Sequence, residues 1–195
     1  MPSVRQRLRS AKADALTDVE ANMLLTGCRD WYDFAVVLLP WKMGVRIGEV
    51  QHIRASWIDW DKMIMQLPSR QLCSCYECRA WRNGIWSPKS EAGIRGLMIV
   101  EEVEGLLREM GEGVNRSRQC LESRFMRIRE RSGLLKPCYP HCLRASFAIK
   151  MAEGGMSAPA LAYVMGWAGL RPAEFYIQSS MRRAHQEQKA IIGGE

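Results

Sequence analysis

The segment Trp31–Met43 constrains the fold more than any other part of the chain, because it carries apolar residues on most of its faces. A helix that is apolar all round cannot lie on a surface, so other elements must pack around it. Gly44 follows directly and predicts the end of this helix, since glycine readily takes the left-handed conformation of a helix C-cap. The chain therefore has to build its core around this helix.

Further helices are predicted by capping signals and by apolar residues at helical spacing. Thr17 and Glu20 form a capping box that starts a helix ending at about Thr26. Ser157 is predicted to cap another helix, with Pro159 in its first turn. The remaining predicted helices span residues 46–53, 101–110, 116–131, 141–153, 172–179 and 181–192.

Short strands complete the prediction. Residues 56–59 and 63–67 are predicted to pair around a turn at Asp61 and Lys62, and residues 85–88 and 94–100 to form a hairpin around Lys89. A cysteine-bearing loop lies between these two pairs. The predicted class is α+β, mostly helical with a small antiparallel β-sheet. One domain of residues 16–195 follows a basic N-terminal arm of residues 1–15.

The composition favours an anionic partner. The net charge of the 195-residue chain is +7 and its pI is about 9.2. Neither a membrane-spanning apolar run nor a signal peptide is recognisable, so we expect an intracellular protein of the cytoplasm or host nucleoid. Seven cysteines in such a compartment are expected to be free thiols or metal ligands rather than disulfides.

A small set of residues carries chemistry suited to a phosphodiester: Arg46, Lys89, His141, Arg144, Trp167 and Tyr176. Arginines bind non-bridging oxygens bidentately, a lysine or histidine protonates a leaving oxygen, and a tyrosine is a covalent nucleophile. Taken singly, each residue also fits an ordinary role, such as a surface arginine, a turn lysine or a buried aromatic. It is the ordered set that points to metal-free cleavage of a phosphodiester.

The order and spacing of these residues resemble the tyrosine recombinases, the family of the phage integrases. The resemblance runs from about Leu16 to about Gln178 and covers the catalytic half of a usual family member. It implies site-specific cutting and rejoining of DNA strands through a 3′-phosphotyrosine, without metal or ATP. It also implies double-stranded DNA as the partner and a homotetramer on DNA, with a monomer in isolation.

The resemblance assigns roles to Arg46 and Glu49 and to the H-x-x-R motif that His141 and Arg144 form. Arg46 and Arg144 are expected to bind the scissile phosphate, with Glu49 supporting Arg46 from one turn away. His141 is expected to hydrogen-bond the phosphate or to accept the proton of the tyrosine. Its position one turn from Arg144, at a predicted helix start, gives both side chains the same direction.

The same resemblance assigns roles to the remaining residues of the set. Lys89 is expected to protonate the departing 5′ oxygen, and Arg95 on the next strand to contact the DNA backbone. Trp167 stands where many members have a histidine, and its indole can donate a hydrogen bond but cannot take a proton. Tyr176 is expected to be the nucleophile.

Cys73, Cys75 and Cys78 form a separate cluster that suits a structural zinc ion. The sequence leaves the fourth ligand open between His52, another cysteine and water, and it equally allows three free thiols. A bound zinc ion would brace the hairpin, about residues 68–88, that positions Lys89. A similar cysteine-rich hairpin occurs in some archaeal integrase-like proteins, which suggests an archaeal or archaeal-virus origin.

Two rival functions remain open at this stage. The same chemistry without synapsis would give DNA relaxation resembling that of type IB topoisomerases. A non-cleaving, DNA-binding accessory protein is the other alternative, because the N-terminal core-binding domain that usually closes a clamp around DNA is expected to be absent. Only about fifteen residues precede the first predicted helix of the catalytic domain.

Overall fold

The structure, a computed structural model, describes residues 13–111, 113, 114 and 116–178, together with 185, 188, 189, 191 and 192. Apart from residues 13–15, the predicted basic arm lies outside the described residues. The terminal helix predicted over residues 181–192 lies outside them too, except at those isolated positions. The helices are α1 (Asp18–Thr26), α2 (Trp31–Met43), α3 (Ile47–Val50), α4 (Tyr76–Trp81), α5 (Glu101–Met110), α6 (Arg118–Ser132), α7 (Pro140–Glu153), α8 (Ala158–Met165) and α9 (Arg171–Gln178).

Helix α2 is the centre of the fold, as its apolar character predicts. It packs against α1, α3, α5, α6 and α7. Its side chains at Val36, Val37 and Leu39 are fully buried, which confirms the predicted core helix. The helix ends where predicted, at Gly44 in the left-handed region with φ of +64°.

The predicted start of α1 is also confirmed. The Thr17 hydroxyl accepts a hydrogen bond from the Glu20 backbone N–H, and the Glu20 carboxylate accepts one from the Thr17 N–H at 2.8 Å. This reciprocal pair satisfies backbone donors that the first turn of a helix leaves without partners. Ser157 caps α8 in the predicted way, by accepting from the Ala160 N–H.

The basic helix α6 uses part of its charge inside the protein. Arg131 donates to Asp33 at 2.5 Å, and Arg124 pairs with both Asp30 and Asp33. These ion pairs join α6 to the N-terminal end of α2, while Leu121, Phe125 and Ile128 are buried as predicted. Not all of the basic charge in this helix is therefore available to an anionic partner.

The strands form two small antiparallel sheets. One has the order β1–β2–β5, from β1 (Ile58–Asp59), β2 (Ile64–Leu67) and β5 (Arg95–Met98). The other pairs β3 (Gln71–Leu72) with β4 (Ile85–Trp86), and we call residues 71–86 the cysteine hairpin. In β2 and β5, Met65 pairs with Leu97 and Leu67 with Arg95, and all four side chains are buried.

The structure corrects two predictions about this region. The segment with the cysteines is not a plain loop, because it contains β3, helix α4 and β4. Lys89 does not lie at the tip of a hairpin either: β4 before it pairs with β3, whereas β5 after it pairs with β2. Lys89 thus lies in the connection between the two sheets, where residues 91–93 form a 3₁₀ turn.

The C-terminal helices build a second apolar cluster beside the main core. Phe147 from α7, Leu161 and Met165 from α8, and Ala173 and Tyr176 from α9 are its main members. Helix α9 packs on α7 and α8, and α8 also contacts β5. This arrangement brings the end of α8 next to the start of α3. Within the described part of the chain, no helix has the length and apolar character that a membrane span requires.

Candidate active site

Most of the predicted site residues meet at one cavity of about 1050 Å³. They reach it from separate elements: the N-terminal end of α3, the connection after β4, the N-terminal end of α7 and the residue after the C-cap of α8. The predicted residues in its wall are Arg46, Glu49, Lys89, His141, Arg144 and Trp167. Residues that lie far apart in sequence are therefore neighbours in the fold.

Arg46 lies at the N-cap of α3 and is held on two sides. Its Nη1 donates to Glu49 Oε1 at 2.8 Å, and its Nη2 donates to the carbonyl oxygen of Gly166 at 2.6 Å. The side chain remains 31% exposed, so part of the guanidinium faces the cavity. These contacts fix the direction of Arg46 without covering it.

Glu49 is buried and binds two arginines at once. Besides Arg46, it accepts hydrogen bonds from Arg95 Nη1 at 3.0 Å and Nη2 at 2.9 Å. Burial alone would raise the pKa of this carboxyl. The hydrogen bonds and charge of Arg95, together with the charges of Arg144 and Arg46, outweigh it and lower the pKa to about 2.

Arg95 has a different position from the predicted one. Its side chain is fully buried, with Nε donating to the Val164 carbonyl at 2.7 Å and Nη1 to that of Gly93 at 3.0 Å. A guanidinium enclosed in this way is not available to a DNA phosphate. The structure therefore corrects the predicted DNA contact: Arg95 supports Glu49 from the sheet side.

Arg144 is also buried, but it faces neutral groups. Its Nη1 donates to the Gly44 carbonyl and its Nη2 to the Met165 carbonyl. Burial and then the charge of Arg46 lower the pKa of Arg144. Because backbone carbonyls carry only partial negative charge, a phosphate in the cavity would meet an arginine that no carboxylate neutralises directly.

Gly166 lets these arginines come together. It takes a left-handed conformation with φ of +59° at the C-cap of α8. A Cβ at this position would lie 2.9 Å from Arg95 Nη1 and 3.1 Å from Arg46 Nη1. The sequence did not reveal that backbone carbonyls at the end of α8 accept hydrogen bonds from the arginines. The glycine just before Trp167 did indicate that a helix ends there.

His141 begins α7 and is exposed to the cavity. Its ring stacks against Tyr139, with centroids 6.4 Å apart and planes 9° from parallel. Reduced hydration among the cavity walls, followed by the charges of Arg144 and Arg46, lowers the pKa of His141 from its ordinary value of 6.5. The imidazole is thus mainly neutral at pH 7 and can accept a proton.

Tyr176 is the one predicted catalytic residue outside the cavity wall. Its side chain is 3% exposed, and its ring stacks on that of Trp167 with centroids 5.6 Å apart. Burial raises the pKa of Tyr176 to about 12, although the charge of Arg144 opposes this effect. Trp167 itself lines the cavity, and Lys89 is exposed at its edge.

The predicted metal-ligating cysteines form a second site beside the cavity. Ligand atoms of Cys73, Cys75, Cys78 and His52 all lie within 4.8 Å of one another. His52 was one of several possible fourth ligands in the sequence, and it is the one that the fold brings to the thiols. Cys78 and His52 also line the large cavity, so the two sites share a wall.

The chain matches known recombinases in both sequence and structure. A model of the Phage integrase family matches residues 93–183. The chain is 28% identical over 155 residues to "Tyrosine recombinase XerD" of Bifidobacterium longum (strain NCC 2705), covering 76% of this chain and 50% of the relative. It thus spans about half the length of that curated relative.

Two solved structures have the same architecture. The crystal structure of XerA recombinase matches with a TM-score of 0.66 at 19% identity, covering 90% of this chain and 63% of that one. The Tn1549 transposon integrase, solved in complex with a circular intermediate DNA, matches with a TM-score of 0.69 at 21% identity, covering 91% and 65%. These matches confirm the predicted mostly helical fold with small antiparallel sheets.

Proposed function

We propose that this chain is a tyrosine recombinase, and that it cleaves and rejoins DNA strands as a site-specific recombinase or integrase. One observation carries the proposal: two arginines, a lysine and a neutral histidine share a cavity, and Tyr176 stacks on its Trp167 wall. The Tn1549 integrase, one of the similar structures, was solved with DNA, which supports DNA as the partner here.

The proposed reaction is a transesterification at phosphorus. Arg46 and Arg144 bind the non-bridging oxygens of the scissile phosphate. The Tyr176 oxygen attacks phosphorus and gives its proton to His141, while the bond from phosphorus to the 5′ oxygen breaks and Lys89 protonates that oxygen. The products are a 3′-phosphotyrosine and a free 5′-hydroxyl. Attack by a second 5′-hydroxyl reverses the step on a partner strand.

The buried position of Tyr176 sets a condition on this chemistry. Tyr176 is not among the residues that line the cavity, and its ring is covered by the Trp167 indole, so the phenol does not face a phosphate bound there. We therefore propose that DNA binding shifts α9 so that the phenol passes Trp167 and enters the cavity. The half-buried indole of Trp167, which lines the cavity, can then donate its N–H to a phosphate oxygen.

We also propose the assembly and place of action that such chemistry requires. Exchange between two duplexes needs four tyrosines, so the active form would be a homotetramer on double-stranded DNA, formed from monomers. Because its substrate is DNA, the protein would act inside the cell at the host nucleoid. The archaeal or viral origin suggested by the cysteine hairpin stays a prediction.

No cofactor is needed in the proposed reaction, and a zinc ion at the cysteine hairpin would have a structural role. Three thiolates and one imidazole complete a tetrahedral shell and leave no position for a reactive water, which is typical of structural zinc. The phosphodiester bond energy is kept in the covalent link to Tyr176, so ATP is not required either.

A nicked suicide substrate tests the proposal. A pool of candidate attachment-site duplexes, each nicked next to the cleavage position, is incubated with the protein in buffer to which no divalent cation is added. We expect a covalent protein–DNA band in gels, and its loss in Tyr176→Phe. Tyr32→Phe is a matched control, because Tyr32 stacks on Trp31 away from the cavity and also loses only a hydroxyl.

The alternatives give different results. DNA binding without a covalent band in any duplex would favour the non-cleaving accessory protein. A covalent band with relaxation of supercoiled DNA, but without exchange between two duplexes, would favour the activity that resembles type IB topoisomerases. Recombinant joints between two labelled duplexes would support the recombinase.

A further inference from the structure

The possible metal ligands come from two separate segments of the chain. His52 follows helix α3, which begins next to Arg46 and contains Glu49. Cys73, Cys75 and Cys78 lie in the cysteine hairpin, whose second strand β4 leads through Ser87 and Pro88 to Lys89. An ion bound by all of them would cross-link the two segments.

The distances fit a tetrahedral zinc ion. With Zn–S bonds of about 2.3 Å and Zn–N bonds of about 2.0 Å, tetrahedral geometry separates a sulfur from a nitrogen ligand by about 3.5 Å. His52 Nε2 lies 3.5 Å from the Cys75 sulfur and 3.4 Å from that of Cys78. The His52 nitrogen and these two sulfurs are thus already at the separations that a shared zinc ion imposes, and all four ligand atoms lie within 4.8 Å of one another.

The groups around the ligands also prepare them for a cation. His52 Nδ1 lies 2.7 Å from the carbonyl oxygen of Gly48, so it donates to that oxygen and leaves the Nε2 lone pair directed at the sulfurs. Backbone N–H groups donate to the sulfurs, from Cys75 to Cys73 at 3.5 Å and from Cys78 to Cys75 at 3.4 Å. Hydrogen-bond donors of this kind commonly surround the ligands of a metal site and hold them in place.

We infer that His52, Cys73, Cys75 and Cys78 bind one Zn²⁺, and that this ion fixes Lys89 relative to Arg46 and Glu49. The catalytic consequence rests on the proposed function, whereas the metal site does not. The ion is a positioning group in this proposal, because it touches neither the phosphate nor the reacting atoms.

The route from the ion to Arg46 is short. The backbone N–H of His52 donates to the Glu49 carbonyl at 2.8 Å, and its imidazole is bonded to Gly48. Glu49 in turn holds the Nη1 of Arg46. Fixing His52 therefore fixes the turn that aims the first phosphate-binding arginine.

The route to Lys89 depends on the cysteine hairpin. Strands β3 and β4 have two residues each, and so short a pair is marginal in water without further support. Stacking of Trp86 on His52, with centroids 5.4 Å apart, gives some support. An ion bound to three hairpin thiols would hold the hairpin, and with it the start of the connection to Lys89, much more rigidly.

The metal site is first tested by measurements that do not depend on DNA cleavage. Elemental analysis of the purified protein should find one zinc ion per chain, lost in His52→Ala and kept in Cys120→Ser, a cysteine outside the site. Removing zinc with a strong chelator should speed hydrogen exchange of the amides of β3, β4 and α3 by about 10-fold or more, and added zinc should reverse this. No bound zinc, or unchanged exchange after its removal, would overturn the inference.

The effect on Lys89 is tested with two suicide substrates, one with a 5′ oxygen and one with a 5′ sulfur at the cleaved bond. A thiolate leaves without protonation, so the sulfur substrate does not need Lys89 as an acid. Zinc-free protein and His52→Ala should cleave the oxygen substrate about 100-fold more slowly, the lower range for loss of a general acid. Cleavage of the sulfur substrate should be slowed much less. Added zinc should restore cleavage of the oxygen substrate by the protein from which zinc was removed.

The outcomes separate this inference from the proposed function. Equal cleavage of the oxygen substrate with and without zinc would overturn the positioning role, even if zinc is bound. Failure of zinc-loaded protein to cleave either substrate would instead overturn the proposed function. In that case the zinc content and the hydrogen exchange of β3, β4 and α3 would still decide whether the ion joins the two segments.

Discussion

The indole of Trp167 stacks on the phenol of Tyr176, with the two ring planes only 10° from parallel. Trp167 lines the cavity whereas Tyr176 does not, so the indole lies between the ring of the proposed nucleophile and the cavity. Stacked aromatic pairs add roughly 1 kcal/mol beyond the area that they bury. This contact therefore stabilises α9 in the position that leaves the phenol outside the cavity wall.

Two substitutions of Trp167 should separate its packing role from its hydrogen bond. Trp167→Phe keeps a stacked ring but removes the indole N–H, so we expect cleavage of the suicide substrate to fall about 10- to 100-fold with stability changed little. Trp167→Ala removes the ring and should lower the free energy of unfolding by about 2 kcal/mol. Urea unfolding and cleavage rates measure both effects. Wild-type cleavage by Trp167→Phe would exclude a role for the N–H.

The pH dependence of cleavage should report the neutral state of His141. Its pKa is lowered from 6.5, so the imidazole accepts a proton at pH 7 and loses this ability only under more acidic conditions. We expect the rate to vary little from pH 8 to pH 7 and to fall about tenfold per pH unit below the lowered pKa. His141→Gln should be slower and should lack this acidic limb. A limb with its midpoint above 6.5 would contradict the assignment.

Glu49 should make stability depend on acid pH. Its folded-state pKa of about 2 lies below the ordinary 4.5, so its stabilising effect is complete above pH 4.5 and is lost as the pH falls from 4.5 to 2. On the order of 3 kcal/mol is involved, at about 1.4 kcal/mol per pKa unit. Glu49→Gln should be destabilised by this amount at pH 7, and the difference from wild type should shrink towards pH 2.

Glu102→Gln is the matched control for that measurement. Glu102 also pairs with a cation, Lys42 at 3.0 Å, but its side chain is 56% exposed. Solvent screening limits such pairs to less than about 1 kcal/mol, so urea unfolding should detect little change at either pH. An effect of Glu102→Gln equal to that of Glu49→Gln would mean that burial of Glu49 is not the cause.

Arg95→Met should distinguish a supporting arginine from a DNA contact. The substitution leaves Glu49 buried without its main partner and should lower the free energy of unfolding by about 3 kcal/mol or more. The slope of log binding constant against log salt should stay as in the wild type, because a lost phosphate contact would reduce it by about 1. Filter binding to duplex DNA at several salt concentrations gives the slope. A reduced slope would instead support the DNA contact that was predicted for Arg95 from the sequence.

The helical framework could be predicted from the sequence because its signals are local. The capping box at Thr17 and Glu20, the apolar segment of α2 and the glycine after it each act within a few residues. The pairing of β4 with β3 instead of β5 could not be predicted in this way. Strands of two to four residues are too short to show a clear alternation of apolar and polar residues, and packing between distant segments decides which strands pair.

The candidate site was predictable in its residues but not in their surroundings. Arg46, Lys89, His141 and Arg144 were recognised as a set, and the fold brings them to one cavity. The burial of Arg95 was missed, although its position two residues before Leu97 placed both on one face of β5. The meeting of His52 with the hairpin thiols depends on tertiary structure, and sequence spacing could offer it only as one of several possibilities.

The three guanidiniums and the single carboxylate at the end of α3 have a further consequence. Arg46 and Arg95 bind Glu49 directly and Arg144 acts on it by charge, so the group as a whole carries two unbalanced positive charges. A phosphodiester has one negative charge, and it gains a second when a phenolate oxygen adds to phosphorus. This group is therefore more positive than the ground-state phosphodiester is negative, and it matches the charge of the five-coordinate state in the proposed reaction.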